Sequence, residues 1–111
     1  VILARHDVVE PDLVIVANPA QISSRGIEGA PLLVVEVLSP STRTRDRGVK
    51  MDRYAALGIA HYWIVDPDAR SIECFRLESA AYRMVVNAST PDLLRHPDWP
   101  DLVIDLAALW R

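Results

Sequence analysis

The sequence predicts an α/β domain with a mixed central β-sheet flanked by helices. Three observations predict it. The runs Leu13 to Ala17 and Leu32 to Leu38 are continuously apolar rather than alternating, as in strands covered on both faces. A helical segment, about Thr44 to Leu57, separates the second run from a third apolar run, Ile59 to Val65. Two further runs, Ser71 to Leu77 and Tyr82 to Val86, follow a turn and read as a meander.

In order, Val1 to Ala4 read as the tail of a strand and Arg5-His6-Asp7 as a turn. The chain begins without Met inside an apolar run, so a fragment of a longer domain, truncated at its N-terminus, is expected. Leu13 to Ala17 is expected as a buried strand, and Asn18 to Pro31, with its Pro, Ser and Gly, as a loop. Leu32 to Leu38 is the second buried strand, broken by Ser39-Pro40-Ser41-Thr42. These hydroxyls, with Thr44, are natural caps for the helix, and Gly58 suits the position just past its end. Asp46, Lys50 and Tyr54 recur every fourth residue and so share one helical face, while Gly48 is a mild internal cost. Asp66-Pro67-Asp68-Ala69-Arg70 is a turn. Asn87 to Pro100 reads as a long polar loop, Leu102 to Ile104 as a short strand, and Asp105 as the cap of a short last helix, Leu106 to Trp110.

With 111 residues the chain is expected to form one domain, residues 1–111, with a modest core. A net charge of −3 gives no global attraction to nucleic acid, so any such contact must come from a local basic patch. One cysteine, Cys74, allows no internal disulfide and suits a reducing compartment; a cytoplasmic location is expected. No apolar stretch is long enough for a membrane span.

The chemistry centres on Glu36, an acid inside the apolar run Leu32 to Leu38. A carboxylate there needs a metal ion or a cationic partner, because an isolated one would cost several kcal/mol or stay protonated. Asp12, after Pro11, heads the other apolar strand, and Lys50 is the lysine of a chain whose other basic residues are arginines. Mg²⁺ takes hard oxygen ligands, one or two carboxylates plus waters. Asp12, Glu36 and the backbone carbonyl of Val37 can supply such oxygens, with Lys50 beside the phosphate and Asp46 orienting it. That set points to metal-assisted phosphodiester cleavage.

Each residue also has a plainer role open to it. Asp12 can be a solvated turn residue, Glu36 can pair with a buried arginine, and Lys50 can be a solvated helix residue in a surface ion pair with Asp46. Arg43, Arg45 and Arg47 either grip phosphates or form a solvated face; their position at a helix start opposes the helix dipole and favours an anionic partner. Tyr54, on the face of Asp46 and Lys50, is with Asp46 a supporting residue of the site; its plainer role, like that of Trp63, is core rather than substrate-stacking. His6, His61 and His96 show no metal-ligand spacing, and Cys74 reads as packing.

The stretch Glu36-Val37-Leu38-Ser39-Pro40-Ser41-Thr42, with Asp46, Lys50, Tyr54, Gly58 and Tyr62-Trp63-Ile64-Val65-Asp66, closely resembles the Uma-two family of restriction endonucleases, in the PD-(D/E)xK nuclease superfamily. The resemblance runs from about Pro11 to the C-terminus. It implies a restriction-endonuclease-like fold, DNA as substrate, Mg²⁺ or Mn²⁺ as cofactor, and Asp12 and Glu36 as metal ligands. The superfamily usually places its lysine two residues after the acid; here that position is Leu38, which makes Lys50 on the following helix the natural substitute. A homodimer fits double-strand cutting. A catalytically inactive nucleic-acid-binding or structural domain of the same fold, or another metal-dependent phosphohydrolase, are the alternatives.

Overall fold

A computed structural model describes residues 2–4, 7, 8, 13–16, 19–23, 26, 27, 30–39 and 46–110. Its centre is a five-stranded sheet in the order β3 (Leu13–Ile15), β6 (Leu33–Val37), β7 (His61–Asp66), β8 (Ser71–Glu78), β9 (Ala81–Ser89). The β6–β7 pairing is parallel, and the β3–β6, β7–β8 and β8–β9 pairings are antiparallel, so the sheet is mixed as expected. The strands β1 (Ile2–Ala4) and β2 (Asp7–Val8) form a separate ribbon, as do β4 (Ile22–Ser23) and β5 (Gly26–Ile27).

The parallel pair needs a crossover, and the chain makes it through a helix. This begins as a π-helical segment, Asp46–Lys50, and continues as α1, Met51–Ala56. Sequence spacing predicts one uninterrupted α-helix from Thr44; instead its described first turn is π-helical, with Gly48 inside it. Gly58 ends the crossover at φ +77°, the left-handed conformation that glycine adopts most readily.

Alternation along β6 and β7 divides the core into two layers. Val34 and Leu38 from β6 and its end, with Tyr62 and Ile64, face Tyr54 of α1, Ile59 and Phe75. Leu33, Val35 and Trp63 face the other way, onto Ile72, Cys74, Ala88, Leu94 and Leu106. The continuous apolar reading of these strands follows from that double covering. The second face carries no long helix among the described residues. It is covered by the hairpin of β10 (Leu93–His96) and β11 (Trp99–Asp105) and by the one-turn helix α2 (Leu106–Leu109). Asp105 caps α2, accepting the backbone N–H groups of Ala107 and Ala108 at 3.1 and 3.3 Å. Beside the hairpin an apolar cavity of about 450 Å³ opens, lined by Leu13, Ile15, Val35, Trp63 and Leu102 among others.

Two expectations are corrected. The segment 87–100 is largely strand: β9 runs to Ser89, and β10 and β11 pair within the span expected as a loop. In β10 exposed Leu93 and Arg95 alternate with buried Leu94 and His96, so the span is a hairpin with one solvated face. The run from Leu13 is not wholly buried either. Among the described residues β3 has no strand on its outer side, and Leu13 and Ile15 are 56% and 46% exposed. The Asp66–Arg70 turn forms as expected, with Asp66 accepting the N–H groups of Asp68 and Ala69. No helix among the described residues is long and apolar enough to cross a membrane.

The β8–β9 hairpin closes with Glu78 opposite Ala81, so its loop is Ser79-Ala80, at φ 51° and 68°. Two-residue hairpin loops with positive φ at both positions favour Asn-Gly. Replacing Ser79-Ala80 by Asn-Gly is expected to stabilise the fold by about 1 kcal/mol, read as a higher midpoint of thermal unfolding.

Candidate active site

Glu36 lies on the helix-covered face of β6, between Val34 and Leu38, and is 2% exposed. Its carboxylate meets two donors from the crossover. The Lys50 ammonium donates to Oε2 at 3.2 Å, and the Tyr54 hydroxyl donates to Oε1 at 2.6 Å. Lys50 is the last residue of the π segment and Tyr54 lies four residues on in α1, so one helical face presents both groups to one carboxylate. The Tyr54 ring is fixed in turn by an edge-on contact with Tyr62, centroids 5.3 Å apart at 73°.

This arrangement answers the question a buried acid raises. Charge pairing and a short hydrogen bond offset the desolvation of Glu36. Lys50 is a cation that pairs with it, where the sequence reading weighed a buried arginine. The Lys50 side chain is 30% exposed, so the pair lies near the surface on the lysine side. Tyr54 serves both as core and as a hydrogen-bond donor to the acid. Tyr54→Phe is expected to remove about 1.5–3 kcal/mol, the worth of a hydrogen bond to a charged group, measurable by urea unfolding.

The structure therefore brings Glu36, Lys50 and Tyr54 together. Val37 follows Glu36 in β6, in register with Val65, with its side chain turned outward. Asp46 and Arg47 lie in the π segment, and their side chains are outside the described set. Asp12, Arg43 and Arg45 lie outside the described residues. The first described residue of β3, Leu13, pairs with Val35, the residue before Glu36.

The fit to a divalent metal rests on the chemistry of Glu36, whose buried carboxylate offers hard oxygens of the kind that Mg²⁺ prefers, on a strand that pairs with β3.

A second cluster was not expected. His61 opens β7, and His96 ends β10. His61 shares the Trp63 side of β7, opposite the side on which Tyr62 and Ile64 pack with Tyr54. His61 Nδ1 and His96 Nδ1 each lie 4.0 Å from Asp98 Oδ2. Trp99 packs against both imidazoles, with centroids 4.5 and 4.4 Å away. Arg76 Nη1 donates to both Asp98 oxygens, at 2.7 and 3.0 Å, and holds that carboxyl below the usual carboxylate range. Burial pushes both histidines below their ordinary value of 6.5, so they are neutral near pH 7. The 34 residues between His61 and His96 hide this grouping from any local spacing rule.

Among solved structures, the fold is similar to that of a protein from Anabaena variabilis described as "a putative nuclease belonging to DUF820". The TM-score is 0.58 and the identity 19%, over 82% of this chain and 54% of that one. At that identity the likeness concerns the fold alone, and this chain matches about half the length of its structural neighbour. No curated protein matches the sequence. The family model Uma2, described as "Putative restriction endonuclease", matches residues 1–107. Glu36 and its two helix donors thus lie within a match that spans nearly the whole sequence, and the chain belongs to the Uma2 family.

Proposed function

We propose that this chain is a Mg²⁺-dependent endonuclease domain that hydrolyses DNA phosphodiester bonds. The observation that carries the reading is the buried Glu36 carboxylate, held between the Lys50 ammonium at 3.2 Å and the Tyr54 hydroxyl at 2.6 Å on a helix-covered strand. Membership of a restriction-endonuclease family supports the same chemistry.

In this reading Asp12, Glu36 and the Val37 carbonyl hold the ion, with Mn²⁺ able to replace Mg²⁺. Asp12 is the residue before Leu13, and Leu13 pairs with the neighbour of Glu36, which favours the two acids acting together. The metal, when bound, polarises the phosphate and lowers the pKa of a water. Tyr54 fixes the orientation of Glu36. Lys50, on the solvent side of the carboxylate, neutralises charge that develops on the phosphoryl oxygens. Asp46 supports Lys50, and Arg43, Arg45 and Arg47 supply local positive charge for the DNA backbone, which a chain of net charge −3 otherwise lacks. Two copies acting together would cut both strands.

Supercoiled plasmid incubated with Mg²⁺ or Mn²⁺ tests this. The expected result is nicking or linearisation that stops with a chelator and slows at least about 100-fold in Glu36→Gln. Turnover of free nucleotides without DNA cleavage would reassign the substrate. Identical Mn²⁺ binding by wild type and Glu36→Gln, with no cleavage by either, would leave a non-catalytic domain of the same fold.

A further inference from the structure

We propose that His61, His96 and Asp98 form a binding site for a borderline transition-metal cation of the Zn²⁺ class, separate from the Glu36 carboxylate. One donor atom from each residue lies within 4.8 Å of the other two. The donors come from separate elements: His61 from β7, His96 from β10, and Asp98 from the turn before β11.

An independent observation points to a ligand. Among the described residues, His61 Nδ1 is buried and has no hydrogen-bond partner. A buried polar atom left in that state costs about 1–3 kcal/mol. At His61 the orphaned nitrogen is the one facing Asp98, 4.0 Å from Oδ2. Too long for a hydrogen bond, that separation is near what two ligands of one metal adopt, since Zn–N and Zn–O bonds of about 2.0–2.2 Å close it with shifts of a few tenths of an ångström.

The surroundings suit capture of a cation. Both imidazoles are buried, and a neutral imidazole is the form that binds metal. Trp99 packs on both rings and Trp63 stacks on His96 at 5.8 Å, which limits their rotation. Arg76 anchors Asp98 from outside, as supporting groups do for metal-bound carboxylates. The Asp98 side chain is 31% exposed, so an ion can enter from solvent and keep a water in its remaining position. Two contacts compete. His96 Nδ1 accepts the Asp98 backbone N–H at 3.0 Å, and the Arg76 charge opposes a second cation. Both weaken binding relative to a preformed site without changing the donor set.

Two imidazoles and one carboxylate select Zn²⁺, Co²⁺ or Ni²⁺ over Mg²⁺, whose ligands are oxygens. An ion here would tie the β10–β11 hairpin to the start of β7, on the sheet face away from Glu36.

The test uses the full, untagged chain with Zn²⁺ and Co²⁺ as probes. Expected in excess Mg²⁺ are one Zn²⁺ per chain, a further rise in the midpoint of thermal unfolding when Zn²⁺ is added, and visible Co²⁺ absorption bands that Zn²⁺ displaces. His61→Gln and Asp98→Asn should each weaken Zn²⁺ binding at least tenfold. Asp98 is partly exposed, so its variant keeps the test decisive if the buried histidine variant fails to fold. Absence of any Zn²⁺-dependent shift or Co²⁺ band in the wild type overturns the proposal, and so does full-strength binding in either folded variant.

Discussion

Lys50→Ala is expected to slow DNA cleavage by about 10²–10³-fold, with circular dichroism showing the fold intact. The ammonium sits 3.2 Å from a nearly buried carboxylate, so it is positioned before any substrate arrives. A preorganised charge of this kind acts on the transition state without waiting for solvent to rearrange. The fold should survive because Lys50 is 30% exposed and water can solvate the Glu36 side that loses its partner. Loss of one partner of a fully buried pair would cost about 3–5 kcal/mol; here solvent access reduces the penalty. Lys50→Arg should fail to restore activity, because a planar fork does not occupy the site of a compact ammonium. Single-turnover rates decide the matter, and wild-type cleavage by Lys50→Ala would remove this residue from the chemistry.

Tyr62→Ala is expected to destabilise the domain by about 3–5 kcal/mol, a large part of the roughly 5–15 kcal/mol that holds a domain of this size together. Tyr62 is completely buried, and its ring contacts those of Tyr54, Tyr82 and Phe75 at 5.3, 5.6 and 6.1 Å. No neighbour can collapse into the vacated space without losing contacts of its own. The effect should reach the site, since the Tyr54 ring that carries the hydroxyl to Glu36 rests on Tyr62. Urea unfolding would show a lower midpoint at an unchanged slope. An unfolding free energy within 1 kcal/mol of wild type would contradict this account of the core.

What could be read from the chain follows from how local each feature is. Glu36 stood out because a single acid breaks an apolar run, and a buried charge must be compensated nearby. The shared face of Lys50 and Tyr54 was legible from helical spacing, but that both donate to Glu36 was not, since spacing does not say which strand that face meets. The π-helical turn was not, since the same residues fit an unbroken α-helix by pattern. The exposure of Leu13 and Ile15 goes with β3 lying at the edge of the sheet among the described residues, a property of strand order that apolar content cannot reveal. The β10–β11 hairpin was misread because its outward residues, Arg95 among them, resemble those of a loop. The His61–His96–Asp98 grouping arises only when that hairpin folds over the sheet, so it belongs to tertiary structure alone.

The parallel pairing of β6 with β7 has a further implication. Glu36 and Tyr54 are separated by 18 positions, and Lys50 lies between them, all within one strand and its returning helix. The contact of Glu36 with its two donors is therefore a short cassette, set by the spacing within one strand and its returning helix. The β10–β11 hairpin, on the other side of the sheet, can drift in length and surface character while the cassette keeps its internal spacing.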